Sequence, residues 1–345
     1  MRVTLSRISK ETGISIAAIS QVLNNHPNSK FLKTETRDKI LRTVREMGYH
    51  RNENAALTRT GVCKTVAFVS EFNPGFQYSC DGAIISGLLL AAGREGFNIK
   101  VFEFGNFENC CDEILRYGIV HVICFAHQYH NQQKVGEFCH RNRLKLCFLQ
   151  GGHYENYPLV YSDDRSAVRN AMLYLHEKGH RRIGLINPQD DRSFSIERRR
   201  GYIDALRRLE LPYDRRYLSR RRDPAEHQAD IRAMLELPQA ERPTAFVCAD
   251  DFRAMRVENE ALRLGIAIPG QCAVIGFGNT ISEALPTPVS SIEQQFREIG
   301  ILGFNVLIGT ISEQEEQYKV GKGIFLIPTI FIERESTKTD FGGKP

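Results

Sequence analysis

The sequence predicts an α/β protein in two parts, a small three-helix head and a larger body of doubly wound parallel sheet. Three observations lead there. Apolar residues recur at helical spacing around a glycine corner within the first 50 residues. Positive charge is confined to the same stretch: residues 1–61 hold 11 Lys/Arg against 5 Asp/Glu, and the rest of the chain holds 35 against 36. From residue 64 onward, short apolar runs alternate with amphipathic stretches, the pattern of strands and helices taken in turn. The 345 residues allow two or three folding units at roughly 100–200 residues each.

In the head, Leu5, Ile8 and Thr12 share one side of a first short helix. Gly13 supplies the positive φ of a tight corner, and Ser15 stands where the next helix needs an N-cap. Ile16, Ile19, Val22 and Leu23 then form an apolar stripe. A small residue at the helix crossing (Ser9), glycine at the turn and an aliphatic plug (Ile19) is the order a helix-turn-helix requires. Ala17, Ser20, Gln21 and Asn24 share the opposite side. Short hydrogen-bonding groups without bulk suit a helix lying in a major groove. An ordinary surface helix would show the same stripe without the coincident charge, which suits phosphates. A third helix carries Thr36, Arg37, Ile40, Leu41, Val44 and Met47 and ends at Gly48, placed as a C-cap. The polar segment RNENAALTRTG, residues 51–61, reads as a linker.

In the body, the runs 66–70, 120–126, 144–149, 182–187, 245–250 and 273–278 read as buried parallel strands, with helices such as 81–95 and 166–178 between them. Ligands bind such sheets beyond the carboxyl ends of the strands. The residues there are Ser70, Glu71, Ala126, His127, Gln150, Asn187, Asp250, Gly278 and Asn279, with Phe72, Phe76, Phe277 and Phe296 nearby. Hydrogen-bonding groups beside ring faces suit a sugar, although strand ends are also polar simply through exposure.

Other chemistry finds little support. No GxxxxGK[ST] and no GxGxxG after a strand occurs. His176 and His180 are separated by Gly179 at a helix C-terminus, where basic residues are favoured anyway. The nine cysteines form no CxxC pair, and several lie in apolar runs, so reduced buried thiols are expected. No Ser/His/Asp arrangement stands out. No apolar stretch approaches the roughly 20 residues of a membrane span, and the N-terminus MRVTLSRISKETG has no signal-peptide core. The expectation is a soluble, cytoplasmic protein that is not an enzyme, has no membrane partner and needs no cofactor or metal.

The head resembles that of the lactose-repressor/galactose-repressor family of bacterial transcription regulators. The family pattern G-V-S-x-x-T-V-S-R-V-L-N is met by the run from Gly13 to Asn24, and E-x-G-Y by Glu46-Met47-Gly48-Tyr49. The loop 25–33 is about three residues longer than the common form, similar to a subgroup that includes the regulator of the evolved beta-galactosidase operon. The likeness continues through Gly179-His180-Arg181-Arg182-Ile183-Gly184, Arg198–Tyr202, Pro243–Phe246, Ala249-Asp250-Asp251, Ile268-Pro269, Val274–Phe277 and Pro288 before Ser290-Ser291-Ile292, to about residue 335.

The resemblance implies a helix-turn-helix head on a two-lobed body similar to periplasmic sugar-binding proteins, with three crossings between lobes. It divides the chain into a head (1–50), a hinge linker (51–63), an N-terminal lobe (64–162 and 296–324), a C-terminal lobe (163–295 and 325–335) and a polar tail (336–345). DNA contacts are expected from Thr4, Ser15, Ile16, Ala17, Ser20, Gln21, Asn24, Asn25 and Asn28, and from Leu57 as the minor-groove wedge of the hinge. Counted from Tyr49, the wedge position is Thr58, one residue later, and Arg51 stands where a proline is common. Effector contacts are expected from Glu71, Gln150, Arg198, Asp250, Asn279, Gln294 and Phe296. Outside the linker, three more positions depart from the family: Gln21 replaces an arginine, and Gln150 and Gly278 stand where aspartates are usual.

The implied function is a repressor of a sugar-utilisation operon, a homodimer on a pseudo-palindromic DNA operator, released by a small carbohydrate. The alternative is a non-sugar or phosphorylated effector. A stand-alone sugar receptor would carry a signal peptide and no basic head, and an enzyme would carry a nucleophile or metal set. The end STKTDFGGKP has no heptad pattern, which favours a dimer over a tetramer.

Overall fold

The computed structural model describes residues 4–23, 27–47, 49, 63–71, 80–151, 154, 156–190, 192–219 and 227–339. The expected linker 51–61, the C-cap Gly48, Phe72 and Phe76 lie outside them. The chain divides into two compact units, 1–63 and 64–345.

The first unit is three helices: α1 Leu5–Thr12, α2 Ile16–Leu23 and α3 Thr34–Glu46. The Thr4 side chain caps α1 by accepting from Arg7 N. Gly13 closes α1 at φ 71°, and its N–H donates to Ser9 O. The corner is pinned by side chains as well: Ser9 Oγ donates to Ile14 O at 2.7 Å, and Thr12 Oγ1 donates to Ile8 O at 2.8 Å. Ser15 Oγ accepts from Ala18 N and starts α2. Ile8, Ile19, Val22 and Ile40 are buried at the centre, one face from each helix, each contributing ~1.5–3 kcal/mol. Lys39 Nζ donates to Thr12 O, tying α3 to the end of α1. A 3-10 turn, Pro27–Phe31, fills the longer loop.

The second unit holds two sheets. The first has seven strands, β1 Thr65–Ser70, β2 Asn98–Glu103, β3 His121–Phe125, β4 Lys145–Leu149, β5 Leu159–Ser162, β10 Lys319–Gly321 and β11 Ile324–Ile327, in the order β10-β11-β5-β4-β3-β1-β2. The second has five, β6 Ile183–Ile186, β7 Ala245–Cys248, β8 Ala273–Phe277, β9 Ser290–Glu293 and β12 Ile330–Ile332, in the order β12-β9-β8-β7-β6. An isolated parallel bridge from Leu185 to Leu218 stands beyond β6, where a second doubly wound sheet would have its outer strand. All the interior strands pair in parallel, and only β10 and β12 run antiparallel.

The helices that fix the cleft are α4 Cys80–Glu95, α5 Phe107–Arg116, α6 Tyr129–Arg141, α7 Asp164–Glu177, α8 Ser193–Arg208, α9 His227–Leu235, α10 Asp251–Arg263 and α11 Phe296–Ile308. Helices α4 and α11 touch backbone to backbone: a Cβ on Gly300 would lie 2.3 Å from Ile84 O, and one on Gly87 2.0 Å from Arg297 O. Glycine is required at both positions because no side chain fits. One core lies under this pair and the first sheet, and others cover the two faces of the second sheet.

The chain leaves the first sheet after Ser162, returns after Glu293 and leaves again after Ile327, giving three crossings. The last crossing corrects the expected boundary at 324. Strand β11 pairs along its whole length with β5, and Phe325 and Ile327 are buried in the first lobe. The start of the expected tail is corrected too: Ser336 and Thr337 are buried. Ser336 Oγ donates to Val274 O at 2.5 Å and accepts from Ser290 N, so these hydroxyls satisfy backbone of the second sheet. All nine cysteines are free thiols.

Candidate DNA interface and effector cleft

On α2 the inward side is Ile19 and Val22, and the outward side is Ile16, Ala17, Ser20 and Gln21. Ile16 is 45% exposed, although its spacing predicts a place in the apolar stripe. Thr4 and Ser15 act as helix caps with exposed side chains. Asn24, Asn25, the side chain of Asn28 and Leu57 lie outside the described residues.

In the body, the carboxyl ends of β3, β4, β7, β8 and β9 meet at a cavity of about 450 Å³ between the lobes. Its wall includes Gln150, Arg198, Asp250, Gln294 and Phe296 from the expected set, together with Phe125, Phe194, Phe252 and Phe277. The α/β topology dictates this position, because strands of one direction deliver all their ends to one side.

Arg198 is the centre of the cleft. It projects from the second turn of α8 and is almost fully buried. Its Nε and Nη2 donate to Asp164 Oδ2 at 2.9 and 2.8 Å, and Nη1 donates to Ala249 O. The guanidinium lies over the Phe277 ring, 3.8 Å from the centroid, a favourable cation–π placement. Guanidinium has five N–H groups, and three of them make these bonds, so one hydrogen on each terminal nitrogen has no partner among the described residues. Asp164 Oδ1 accepts from Ser162 Oγ at 2.5 Å and from Gln294 Nε2 at 2.9 Å. Gln150 holds the same serine, accepting from Ser162 N at 2.9 Å and donating to its Oγ at 3.0 Å. One buried network therefore joins the first crossing strand (Ser162), the second (Gln294), the first lobe (Gln150) and Arg198.

Asp250 caps α10 by accepting from Arg253 N at 2.7 Å and pairs with the Arg253 guanidinium. Arg253 Nε in turn donates to His227 Nδ1 at 3.0 Å. The next residue, Asp251, is fully buried, and burial raises its pKa while hydrogen bonds from Ser291, Thr280 and Ile281 oppose the rise. His127 also faces the cavity, and burial keeps its imidazole pKa below the usual value.

Two expected contacts are engaged elsewhere. Glu71 accepts from His127 N at 3.1 Å and Asn131 Nδ2 at 2.5 Å, so its carboxylate serves the first turn of α6. Asn279 sits at φ 50°, which turns its amide out of the cavity: it donates to Glu293 and accepts from Arg334 and Ser282. Gly278 has φ 100°, so the aspartate usual at this position would be strained on this backbone. Sequence reasoning missed Asp164, Arg253 and Phe194. Only Arg253 carried a signal, three residues after the aspartate that caps its helix. His180 is buried just past the end of α7, and its Nδ1 is hydrogen-bonded to Thr244 Oγ1.

Residues 4–52 match the lacI family of bacterial regulatory proteins, and residues 172–337 match a periplasmic binding protein-like domain. The repressor CytR of Escherichia coli (strain K12) is 26% identical over 344 residues, covering 97% of this chain and 96% of the relative. The probable repressor ExuR of Bacillus subtilis (strain 168) is 24% identical over 339 residues, covering 97% and 98%. Among solved structures, the lac repressor dimer bound to operator and the anti-inducer ONPF has a TM-score of 0.79 at 20% identity, with 98% and 99% of the two chains covered. A complex of the regulator CelR with cellobiose has a TM-score of 0.68 at 21% identity, with 97% and 100% covered. No helix among the described residues is long and apolar enough to cross a membrane. The head thus carries the match to the lacI family of bacterial regulatory proteins, the body carries the match to a periplasmic binding protein-like domain, and relatives of similar length span both, the make-up of a ligand-responsive regulator that binds DNA.

Proposed function

We propose that the protein is a repressor that holds a pseudo-palindromic operator as a homodimer and releases it when a small carbohydrate fills the cleft. The observation that carries the effector reading is Arg198. It keeps two N–H groups for hydroxyl oxygens while Phe194, Phe252 and Phe296 offer ring faces to the C–H side of a sugar. The solved CelR relative binds cellobiose, which supports the same class of ligand. Of the expected contacts, Gln150, Asp250, Gln294 and Phe296 stand with Arg198. A sugar would favour one arrangement of the lobes, and operator affinity would change by linkage.

For the dimer, α10 offers Leu262, an apolar side chain 78% exposed near the C-terminal end of that helix. The length of the loop 25–33 supports the subgroup that includes the regulator of the evolved beta-galactosidase operon. Arg192 and Arg253 also line the cavity, so uronic acids and sugar phosphates belong beside neutral sugars among the candidates.

The test is the melting temperature of the full protein against mono- and disaccharides, uronic acids and sugar phosphates. A ligand at about 100 times its Kd adds roughly 2.7 kcal/mol, and Arg198→Ala should abolish the shift. A panel without a hit, or a hit that survives Arg198→Ala, would defeat the carbohydrate reading.

A further inference from the structure

We propose that Phe31 is a DNA-contacting residue that packs its ring on the sugar–phosphate backbone beside the groove occupied by α2. The proposal rests on the DNA-binding reading of the head and extends it to a residue of the longer loop.

Phe31 is 87% exposed, more than any other large apolar side chain among the described residues. Its neighbours are anchored. Ser29 is buried, Leu32 packs against the head core, and Leu32 N donates to Ser29 O at 3.2 Å. The backbone of the turn Pro27–Phe31 is thereby held by its neighbours while the ring stays in water. Ordering is prepaid in such an arrangement, so a partner gains most of the contact energy.

Charge decides between partners. Lys30 and Lys33 are exposed on either side of the ring, in a head with 11 basic and 5 acidic residues. The remainder of the chain, with 35 and 36, is a poor complement for that surface. A polyanion is a good one. The turn also follows the C-terminal end of α2 directly, so it meets the phosphate strand flanking the groove in which that helix lies. Between two phosphates held by Lys30 and Lys33, the nearest apolar surface is the C–H face of deoxyribose, where a phenyl ring fits. Sugar and phosphate carry no sequence information. The ring therefore adds affinity on every duplex and no base preference.

The experiment is a salt titration of full-length wild type, Phe31→Ala and Lys30→Ala on two duplexes, one selected from a random pool by the wild type and one random. Phe31→Ala should bind both duplexes about tenfold more weakly with the slope of log K on log salt unchanged, because the phenyl ring carries no charge. Lys30→Ala should instead reduce that slope by about 0.9 for the one phosphate it no longer neutralises. Unchanged affinity in Phe31→Ala would overturn the proposal alone, as would a changed oligomeric state in sedimentation, which would assign the ring to a protein partner. Failure of the wild type to bind either duplex would overturn both the proposal and the DNA reading.

Discussion

Removing Arg198 should cost stability through the partner it leaves behind. Both side chains are buried, at 7% and 5% exposure, and both Nε and Nη2 serve one carboxylate oxygen. Truncation to alanine strands the Asp164 carboxylate. Breaking a buried pair by removing one partner costs about 3–5 kcal/mol. Asp164 would keep donors from Ser162 and Gln294, both neutral, which sets the value near the low end. The missing stacking on the buried Phe277 ring adds about 2 kcal/mol, the desolvated value. The sum is ~5 kcal/mol, a large part of the ~5–15 kcal/mol typical of a domain. The chain has no tryptophan, so urea unfolding is best followed by circular dichroism. Asp164→Asn in the Arg198→Ala background should restore part of the loss, since a neutral amide can share the same two donors. A loss under ~1 kcal/mol for Arg198→Ala, or no recovery in the double variant, would refute the claim that these groups form one coupled unit.

Gly300→Ala would drive a methyl to 2.3 Å from Ile84 O, so the variant should lose ~1–3 kcal/mol or more in the same assay, whereas Gly93→Ala, with open space around it, should not. Burial pushes the Glu258 carboxyl up to about 7. A carboxyl raised in the folded state stays protonated there while the unfolded chain ionises, so stability should fall as pH rises from about 4.5 to about 7. Glu258→Gln should flatten that interval and gain up to ~3 kcal/mol above it. Glutamine pairs bidentately with adenine, whereas arginine prefers guanine. The base facing Gln21 should therefore be adenine in selected operators, and Gln21→Ala should lose ~1–3 kcal/mol of preference at that base; recovery of guanine would contradict this.

The legible parts of the fold were those with a strong local period. Six strands, β1, β3, β4, β6, β7 and β8, read as unbroken apolar runs because both faces are covered, and the head read through Gly13, Ser15 and the Ile19 plug. Strand β2 was not legible, since its edge position leaves only Phe102 buried. Neither was β9, Ser-Ser-Ile-Glu, whose buried serines look polar until Ser336 and Thr337 are seen to bond with Ser290 and Asp251 with Ser291. In the cleft, the strand ends marked positions along the chain, with Gln150 and Asp250 among the cavity lining, but not the directions of the side chains. Positive φ at Asn279 turns its amide away, and the start of α6 consumes Glu71. Asp164 was invisible because its meaning depends on Gln294, 130 residues away, and on an arginine one helix later.

The central claim is that a cleft ligand controls the grip of the head on DNA. The most direct measurement is fluorescence anisotropy of full-length protein on a selected operator duplex, across a salt series, with and without the sugar that raises the melting temperature. The account predicts salt-steep binding in its absence, and operator affinity lowered about 5–150-fold in its presence. Unchanged affinity at saturating sugar would contradict it.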